Sequence, residues 1–211
     1  MRQLIESLGD DSADVRLAVG WALGEIKDTR AIDPLIRSLD DPDPLVREMA
    51  VLALGEIEHP DAVTDLSDAA ERYPGLREPV IWALGEIDNR RALDLRRSLC
   101  EDLGRHDRDN QQVWAGDLPL RKSLFGPRAA RGYDVSDDLD ELLDDLRSGD
   151  PATRHRGAFG IGLLGVKDDL RTLAPVEPLL GLLSDSDPAV RAMAVWSLDE
   201  INPSRWRRAR S

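Results

Sequence analysis

Residues 45–57 read LVREMAVLALGEI, and the chain repeats this stretch with small changes. The copies are ADVRLAVGWALGEI at residues 13–26, PGLREPVIWALGEI at 74–87 and PAVRAMAVWSLDEI at 188–201. Ala22, Ala53 and Ala83 begin the three ALGEI segments, so the copies recur at an almost constant interval. A self-similar period of roughly 20–50 residues is typical of proteins built from stacked structural repeats.

The apolar residues of the repeated stretch fall on one side of a helix. In residues 13–26 they follow the spacing i, i+3, i+4, i+7, i+8 and i+11, which is the pattern of an amphipathic helix. A shorter apolar segment and a turn precede each copy, and in the clearest case the turn reads DDPDP at residues 40–44. Asp43 suits the N-cap and Pro44 the first helical position. We therefore predict helix pairs, each with a first (A) helix and a second (B) helix.

The pattern is interrupted after the fourth A helix. Residues 90–103 predict a helix, but no copy of the B-helix motif follows between residues 104 and 138. A stretch this long without a repeat is usually either functional or disordered. We predict repeats 1 to 3 and the first helix of a fourth over residues 1–103, and an insertion loop over 104–138. Repeats 5 and 6 then occupy residues 139–201, and a basic tail occupies 202–211.

The charge of the chain limits the partners that it can bind. The formal net charge is −13, with 29 Asp against 12 Glu and 25 Arg against 3 Lys. A surface rich in Asp and poor in Lys resembles that of proteins from salt-adapted organisms, and high net charge favours solubility. The balance disfavours duplex DNA as a partner, because affinity for DNA depends on many Lys and Arg contacts to phosphates.

Other features exclude several classes of protein. No apolar run approaches the ~20 residues that a membrane span needs, and the first residues lack the apolar centre of a secretory signal. The single Cys100 cannot form an internal disulfide. We therefore expect a cytoplasmic protein.

Helix pairs with this period, in which D-x-D-P-x-V-R-x-x-A precedes A-L-G-E-I, resemble HEAT repeats. More narrowly, they are similar to the short HEAT-like repeats of the phycobilisome lyase type. The resemblance covers residues 1–103 and 139–201. It implies an all-α fold, a right-handed α-solenoid of about six repeats, with A helices on the convex side and B helices on the concave side.

The resemblance leaves several functions open, because one repeat fold hosts many activities. Deoxyhypusine hydroxylases resemble this repeat type, and the resemblance would imply a di-iron centre held by His-Glu pairs. Here His59, His106 and His155 are followed by Pro, Asp and Arg. Bilin lyases are also similar, but the repeat motif does not define their catalytic residues. We predict a protein that is not an enzyme, with no catalytic residue, metal or cofactor. It would act as a scaffold or adaptor that binds a protein partner on the concave B-helix face, with a lyase-like or hydroxylase-like enzyme as the alternative.

An arginine recurs near the start of each B helix. A guanidinium carries five N–H donors in a planar fork, so we expect each arginine to bond the turns of its own and the adjacent repeat. We name these residues the arginine column: Arg16, Arg47, Arg77, Arg154 and Arg191.

The residue before each ALGEI alanine is usually aromatic. At ~100° per residue this position lies about 130° from the centre of the apolar face, which predicts an exposed site for a partner segment, since Trp is frequent in binding hot spots. Packing between neighbouring B helices is the alternative. We name these residues the aromatic column: Trp21, Leu52, Trp82, Phe159 and Trp196.

In most repeats a glutamate follows the residue of the arginine column at a constant spacing. We expect the glutamates either to select basic flanks of a partner or to be solvated positions of the repeat consensus. Glu25, Glu56, Glu86 and Glu200 lie nine residues after their arginines, and Leu163 breaks the pattern in repeat 5. We name the first three, Glu25, Glu56 and Glu86, the glutamate column.

The insertion and the tail combine basic and aromatic residues, including Arg121, Lys122, Arg207 and Arg208. Such mixtures suit an acidic protein partner or single-stranded nucleic acid, so a nucleic-acid-binding solenoid is the second alternative. The same segments could also cover the acidic surface of the chain itself.

Overall fold

The computed structural model describes residues 1–102, 136–166 and 175–201. The chain divides into two compact units, of which the first contains residues 1–22 and 122–211 and the second contains residues 23–121. Within the described ranges all regular structure is helical, which confirms the predicted all-α fold class. The tail at 202–211 and nearly all of the insertion at 104–138 lie outside the described residues. The partition of the chain into 1–103 and 139–201 stays a prediction.

Within residues 1–102, and again within the described part of residues 136–201, the helices alternate between A and B types, as the repeat predicts. Short 3₁₀ turns lead into several of them. The A helices are α1 (Arg2–Glu6), α3 (Ile32–Ser38), α5 (Val63–Arg72), α7 (Arg90–Asp102), α8 (Leu139–Asp145) and α10 (Val176–Leu182). The B helices are α2 (Ala13–Ile26), α4 (Pro44–Ile57), α6 (Arg77–Glu86), α9 (Pro151–Val166) and α11 (Pro188–Glu200).

Two of the turns between an A helix and a B helix end in an aspartate cap. The Asp43 carboxylate accepts the N–H of Leu45 at 2.8 Å at the start of α4. Asp187 accepts the N–H of Ala189 at 2.8 Å at the start of α11. In both helices proline occupies the first position, where a backbone N–H would have no partner within the helix. Each cap therefore fixes the residue at which a B helix begins.

The second unit stacks its helix pairs in chain order. Helix α4 packs against α3 and α6, and α6 packs against α5 and α7. The core between them is aliphatic, and Leu35, Leu39, Leu54, Leu66 and Leu84 are all fully buried. Burying each such side chain stabilises the fold by about 1.5–3 kcal/mol relative to exposure.

The first unit pairs its helices in the same way. Helix α9 packs against α8 and α11, and α10 packs against α11. The N-terminal segment Met1–Ala22 also belongs to this unit. Arg191 of α11 donates through Nε to Asp10 Oδ2 at 2.6 Å and through Nη2 to Asp10 Oδ1 at 2.7 Å. The last repeat is thus bonded to the turn of the first repeat, although the two lie at opposite ends of the sequence.

Glycines allow neighbouring B helices to approach closely. A Cβ atom added at Gly55 would lie 2.7 Å from Cζ3 of Trp82 and 2.9 Å from Cα of Ala83. A Cβ added at Gly162 would overlap the ring of Trp196. Gly55 in the second unit and its equivalent Gly162 in the first unit therefore make room for a tryptophan of the next B helix.

We expect Gly162→Ala to destabilise the protein by about 1–3 kcal/mol, because the added methyl overpacks the space that the Trp196 ring fills. Gly181→Ala is the matched control in helix α10, since nothing lies within 4 Å of its Cβ position. The control should be neutral or stabilise by up to about 1 kcal/mol. Urea unfolding followed by tryptophan fluorescence measures both changes. A Gly162→Ala protein as stable as the wild type would contradict this packing.

Candidate functional site

Two members of the arginine column bridge adjacent repeats in the first unit. Arg154 donates through Nη1 to the carbonyl of Ser148 at 2.9 Å, in its own turn. Its Nε and Nη2 donate to the Asp185 carboxylate at 2.6 and 2.8 Å, in the next turn. Arg191 repeats this arrangement with its own turn and with Asp10. These guanidinium groups bond both their own turn and the turn of the adjacent repeat, so they hold repeats together.

The carboxylates of these pairs titrate at low pH. The hydrogen bonds from Arg154 hold the pKa of Asp185 below its ordinary value, although burial opposes the shift. Burial also acts to raise the pKa of Asp10, but hydrogen bonds from Arg191 and from the N–H of Ser12 outweigh it and lower the pKa. Both groups therefore contribute stability that is complete above an unfolded pKa of about 3.9. It is lost as the pH falls through the folded pKa.

The other members of the arginine column have different neighbours. Arg16 and Arg47 donate to carbonyls of their own turns, Asp10 at 2.8 Å and Asp41 at 2.7 Å. The guanidinium of Arg47 also lies 4.4 Å from the centre of the Tyr73 ring, which forms a cation–π contact in the second unit. Arg77 has a buried Nε without a hydrogen-bond partner. The members of the arginine column therefore do not all make the same contacts.

The aromatic column is largely buried, which corrects the predicted exposure. Trp21 is partly exposed. The buried members, with their exposed fractions, are Leu52 at 1%, Trp82 at 4%, Phe159 at 6% and Trp196 at 7%.

The aromatic rings are buried because neighbouring B helices cover them. The Trp82 ring lies against Gly55 of helix α4. The Trp196 ring lies against Gly162 and stacks on Phe159 with 5.5 Å between ring centres. A helical projection of one helix does not include this neighbour. The sequence did contain a signal for this burial, because a motif glycine in one repeat is paired with an aromatic residue in the next. A partner-binding role for the column stays a prediction.

The glutamate column places acidic side chains at the ends of B helices in the second unit. Glu25 is exposed, whereas Glu56 and Glu86 are half-buried near the C-terminal ends of α4 and α6. Glu58, which the sequence prediction missed, lies just beyond α4. The Lys27 ammonium lies 3.2 Å from Oε2 of Glu56 and 2.8 Å from Oε1 of Glu58. We name Glu56, Glu58 and Glu86 the glutamate cluster.

The surroundings of the glutamate cluster disfavour the ionised form of Glu86. Burial raises the pKa of Glu86, and the charges of Glu56 and Glu58 raise it further. Lys27 and Arg96 act in the opposite direction without cancelling the shift. A carboxylate in the last turn of a helix also faces the negative end of the helix dipole. The cluster is therefore a surface of negative charge that a cation would stabilise.

The two described histidines, His59 and His155, lie in different units. His59 lies in the second unit, where its Nδ1 accepts the N–H of Asp61 at 3.3 Å. His155 lies in the first unit, where burial lowers the pKa of its imidazole and the nearby Asp187 partly opposes that shift. His106 lies outside the described residues. In the part of the chain that the structure describes, no group of three or more His, Cys, Asp or Glu side chains could hold a metal ion.

Two further predictions concern the basic residues of the insertion and the tail, and the lack of a membrane span. The basic residues Arg121, Lys122, Arg207 and Arg208 lie outside the described residues. Among the helices that are described, none is long and apolar enough to cross a membrane.

Comparison with known proteins identifies the repeat. A family model for HEAT repeats matches residues 1–84 and 139–207. The chain belongs to the HEAT repeat family. This confirms the resemblance inferred from the repeated motif, and HEAT repeats commonly mediate interactions between proteins.

A curated relative of this HEAT repeat protein is named for an enzyme. Deoxyhypusine hydroxylase of Drosophila melanogaster is 35% identical over 175 residues, which cover 75% of this chain and 57% of the relative. The chain thus spans less than two thirds of the length of that relative. This finding overturns the sequence-based prediction that the chain is not an enzyme.

A solved structure is also similar to the HEAT repeat chain. The crystal structure of an engineered protein is 20% identical in sequence. The similarity covers 94% of this chain and 97% of the engineered protein, with a TM-score of 0.37.

We expect Glu86→Gln to stabilise the second unit at neutral pH. The raised pKa of Glu86 means that its favourable contribution is complete below the unfolded pKa of about 4.3 and is lost as the pH rises through the folded pKa. Because solvent screens this half-buried group, the gain at pH 7 should be a few tenths of a kcal/mol. At pH 4 it should vanish. Urea unfolding at both pH values measures the difference.

The exposed Glu71 of helix α5 supplies the control. Glu71→Gln removes the same charge from the same unit but away from the glutamate cluster. A Glu86→Gln variant that is less stable than the wild type at pH 7 would contradict the assignment of repulsion to the cluster.

Proposed function

We propose that the chain binds a basic segment of a protein partner on the glutamate cluster, at the C-terminal ends of helices α4 and α6. The observation that carries the proposal is the position of the Lys27 ammonium, 3.2 Å from Glu56 and 2.8 Å from Glu58, which brings these two carboxylates together. Burial, and then the charges of Glu56 and Glu58, raise the pKa of the neighbouring Glu86. The proposal is supported by the common role of HEAT repeats in protein interactions. It narrows the predicted B-helix binding surface to one group of residues.

The energetics of the glutamate cluster favour a partner with several positive charges. One exposed ion pair contributes only about 0.2–1 kcal/mol, so useful affinity needs two or more pairs formed together. Glu86 is half-buried, and a cation that reaches it works in a less polar environment than bulk water. Because most of these pairs are solvent-accessible, salt should weaken the binding.

Binding of a short synthetic peptide that alternates lysine and alanine tests the proposal by calorimetry in low-salt buffer. The Glu56→Gln/Glu86→Gln double variant should bind about 5- to 30-fold more weakly than the wild type, since two ion pairs are lost. The matched control is Glu71→Gln/Glu101→Gln, which removes two exposed charges elsewhere in the second unit. The control should change the affinity less than twofold.

An equal loss of affinity in both double variants would contradict the proposal. Such a result would show that the peptide responds to net charge and not to the glutamate cluster. A peptide in which glutamate replaces every lysine should show no binding to the wild type.

A second candidate function is hydroxylation of deoxyhypusine, the activity in the name of the Drosophila melanogaster relative. The observation that favours it is 35% identity over 175 residues. The fold resemblance would imply iron held by His-Glu pairs, but no histidine in this chain precedes a glutamate. The described residues also offer no group of side chains that could hold a metal. The residues present do not fit that iron centre, so we derive no catalytic step through it.

A direct assay tests this second candidate. The purified chain, with and without added ferrous iron, is incubated with a protein that contains deoxyhypusine, and mass spectrometry measures the gain of one oxygen atom. Hydroxylation that depends on the chain supports the enzymatic candidate. The absence of any product under both conditions contradicts it, provided that the hydroxylase of the fly is active in the same assay.

A further inference from the structure

The N-terminal segment occupies the place that a seventh repeat would take after the last one. Arg191 reaches the two carboxylate oxygens of Asp10 at 2.6 and 2.7 Å, just as Arg154 reaches those of Asp185 at 2.6 and 2.8 Å. Asp10 and Asp185 each lie six residues before the arginine of their own repeat. The contact from the last repeat to the first therefore has the geometry of a contact between consecutive repeats, although its partners are 181 residues apart in the sequence.

The last B helix also carries an unusual residue where it meets the N-terminal segment. The other B helices have a glycine three residues after their member of the aromatic column, whereas helix α11 has Asp199. Asp199 is 6% exposed, and its Oδ2 accepts the indole N–H of Trp21 at 3.2 Å. Because burying a carboxylate is costly unless it is hydrogen-bonded, this position favours a neighbour that brings a donor, as Trp21 does.

The two sides of this contact are different surfaces of one chain. One side belongs to helix α11 and includes Arg191 and Asp199, and we name it the α11 surface. The other side is the segment Met1–Ala22, which brings Asp10 and Trp21. Every copy of the chain carries both sides, so the segment of one copy is complementary to the α11 surface of another. The chemistry that the α11 surface binds is therefore already visible in the contacts within one chain.

We propose that the α11 surface is a self-association site, at which the segment Met1–Ala22 of a second copy replaces the same segment of its own chain. Reciprocal exchange of the segments forms a closed dimer that contains two copies of this interface. The dimer keeps the hydrogen bonds of Arg191 to Asp10 and of Trp21 to Asp199, so the exchange loses neither contact. This inference does not depend on the glutamate cluster, which lies in the second unit.

Two complementary variants shift the balance from the monomer to the exchanged dimer. Arg191→Met removes the guanidinium that pairs with Asp10, and Asp10→Asn removes the carboxylate that pairs with Arg191. In an exchanged heterodimer, one interface brings the two neutral side chains together and the other contains the native pair. The mixture therefore repairs a defect that neither variant repairs alone, because an unpaired buried charge is more costly than a neutral pair.

Native mass spectrometry of an equimolar mixture measures the exchange, with one variant labelled with ¹⁵N so that the heterodimer has its own mass. The protein concentration is about 50 μM, well below the roughly millimolar effective concentration at which tethered partners meet. Ammonium acetate of about 0.15 M screens the repulsion between two chains of net charge −13. The heterodimer should be at least about 10-fold more abundant than the homodimer that either variant forms alone, since each homodimer retains its unpaired charges.

The matched control is a mixture of Arg37→Met and Glu71→Gln, which makes the same two changes of charge at exposed positions of the second unit. This mixture should form no more heterodimer than the wild type does. The absence of heterodimer enrichment in the Arg191→Met and Asp10→Asn mixture overturns the inference. Equal enrichment in the control mixture also overturns it, because changed net charge would then explain the association.

A conservative pair of variants keeps the test valid if Arg191→Met or Asp10→Asn loses its helices by circular dichroism. Arg191→Lys shortens one side chain and Asp10→Glu lengthens the other, so both charges stay in place. Only an exchanged heterodimer combines the shorter cation with the longer carboxylate. We expect this heterodimer to be about 3-fold more abundant than either homodimer, since a lysine does not restore the fork of an arginine. Equal amounts of heterodimer and homodimers would overturn the inference.

Discussion

The first unit depends on the fork of hydrogen bonds between Arg191 and Asp10. Both side chains are 9% exposed, and Nε and Nη2 of the arginine reach the two carboxylate oxygens at 2.6 and 2.7 Å. Removing one partner from a buried pair typically costs about 3–5 kcal/mol, because the other charge stays buried without compensation. The second contact of this kind, from Arg154 to Asp185, joins repeat 5 to the last repeat. The turns, more than the helices, thus determine which repeats become neighbours.

The sequence predicts the helix pairs well because their causes are local. The aspartate caps, the prolines at first helical positions and the apolar spacing all act within a few residues. It does not predict that the N-terminal segment Met1–Ala22 packs on the last repeat. Asp10, Asp41 and Asp185 occupy equivalent positions in their repeats, so each would suit any arginine of the column. The exposure predicted for Trp82 was wrong because another helix, α4, packs against its ring. This contact is also not local in the sequence.

The candidate site could be predicted only in part. The spacing of the glutamate column identifies Glu56 and Glu86, but Glu58 and Lys27 join them through a left-handed backbone that the repeat does not specify. The arrangement carries a cost in stability, since carboxylates collect at the negative ends of helices. Such a cost at a surface is typical of a binding site, where function opposes stability. The enzymatic relative shows that a repeat motif and three histidines were too little to exclude catalysis.

A double-mutant cycle on Arg191 and Asp10 tests most directly whether this pair holds the first repeat against the last. The free energy of unfolding in urea at pH 7 is measured for the wild type, Arg191→Met, Asp10→Asn and the double variant. We predict a coupling free energy of about 1.5–3 kcal/mol, within the range for residues in direct contact. A coupling below about 0.5 kcal/mol, the value for distant and independent sites, would contradict the packing of the N-terminal helices on the last repeat.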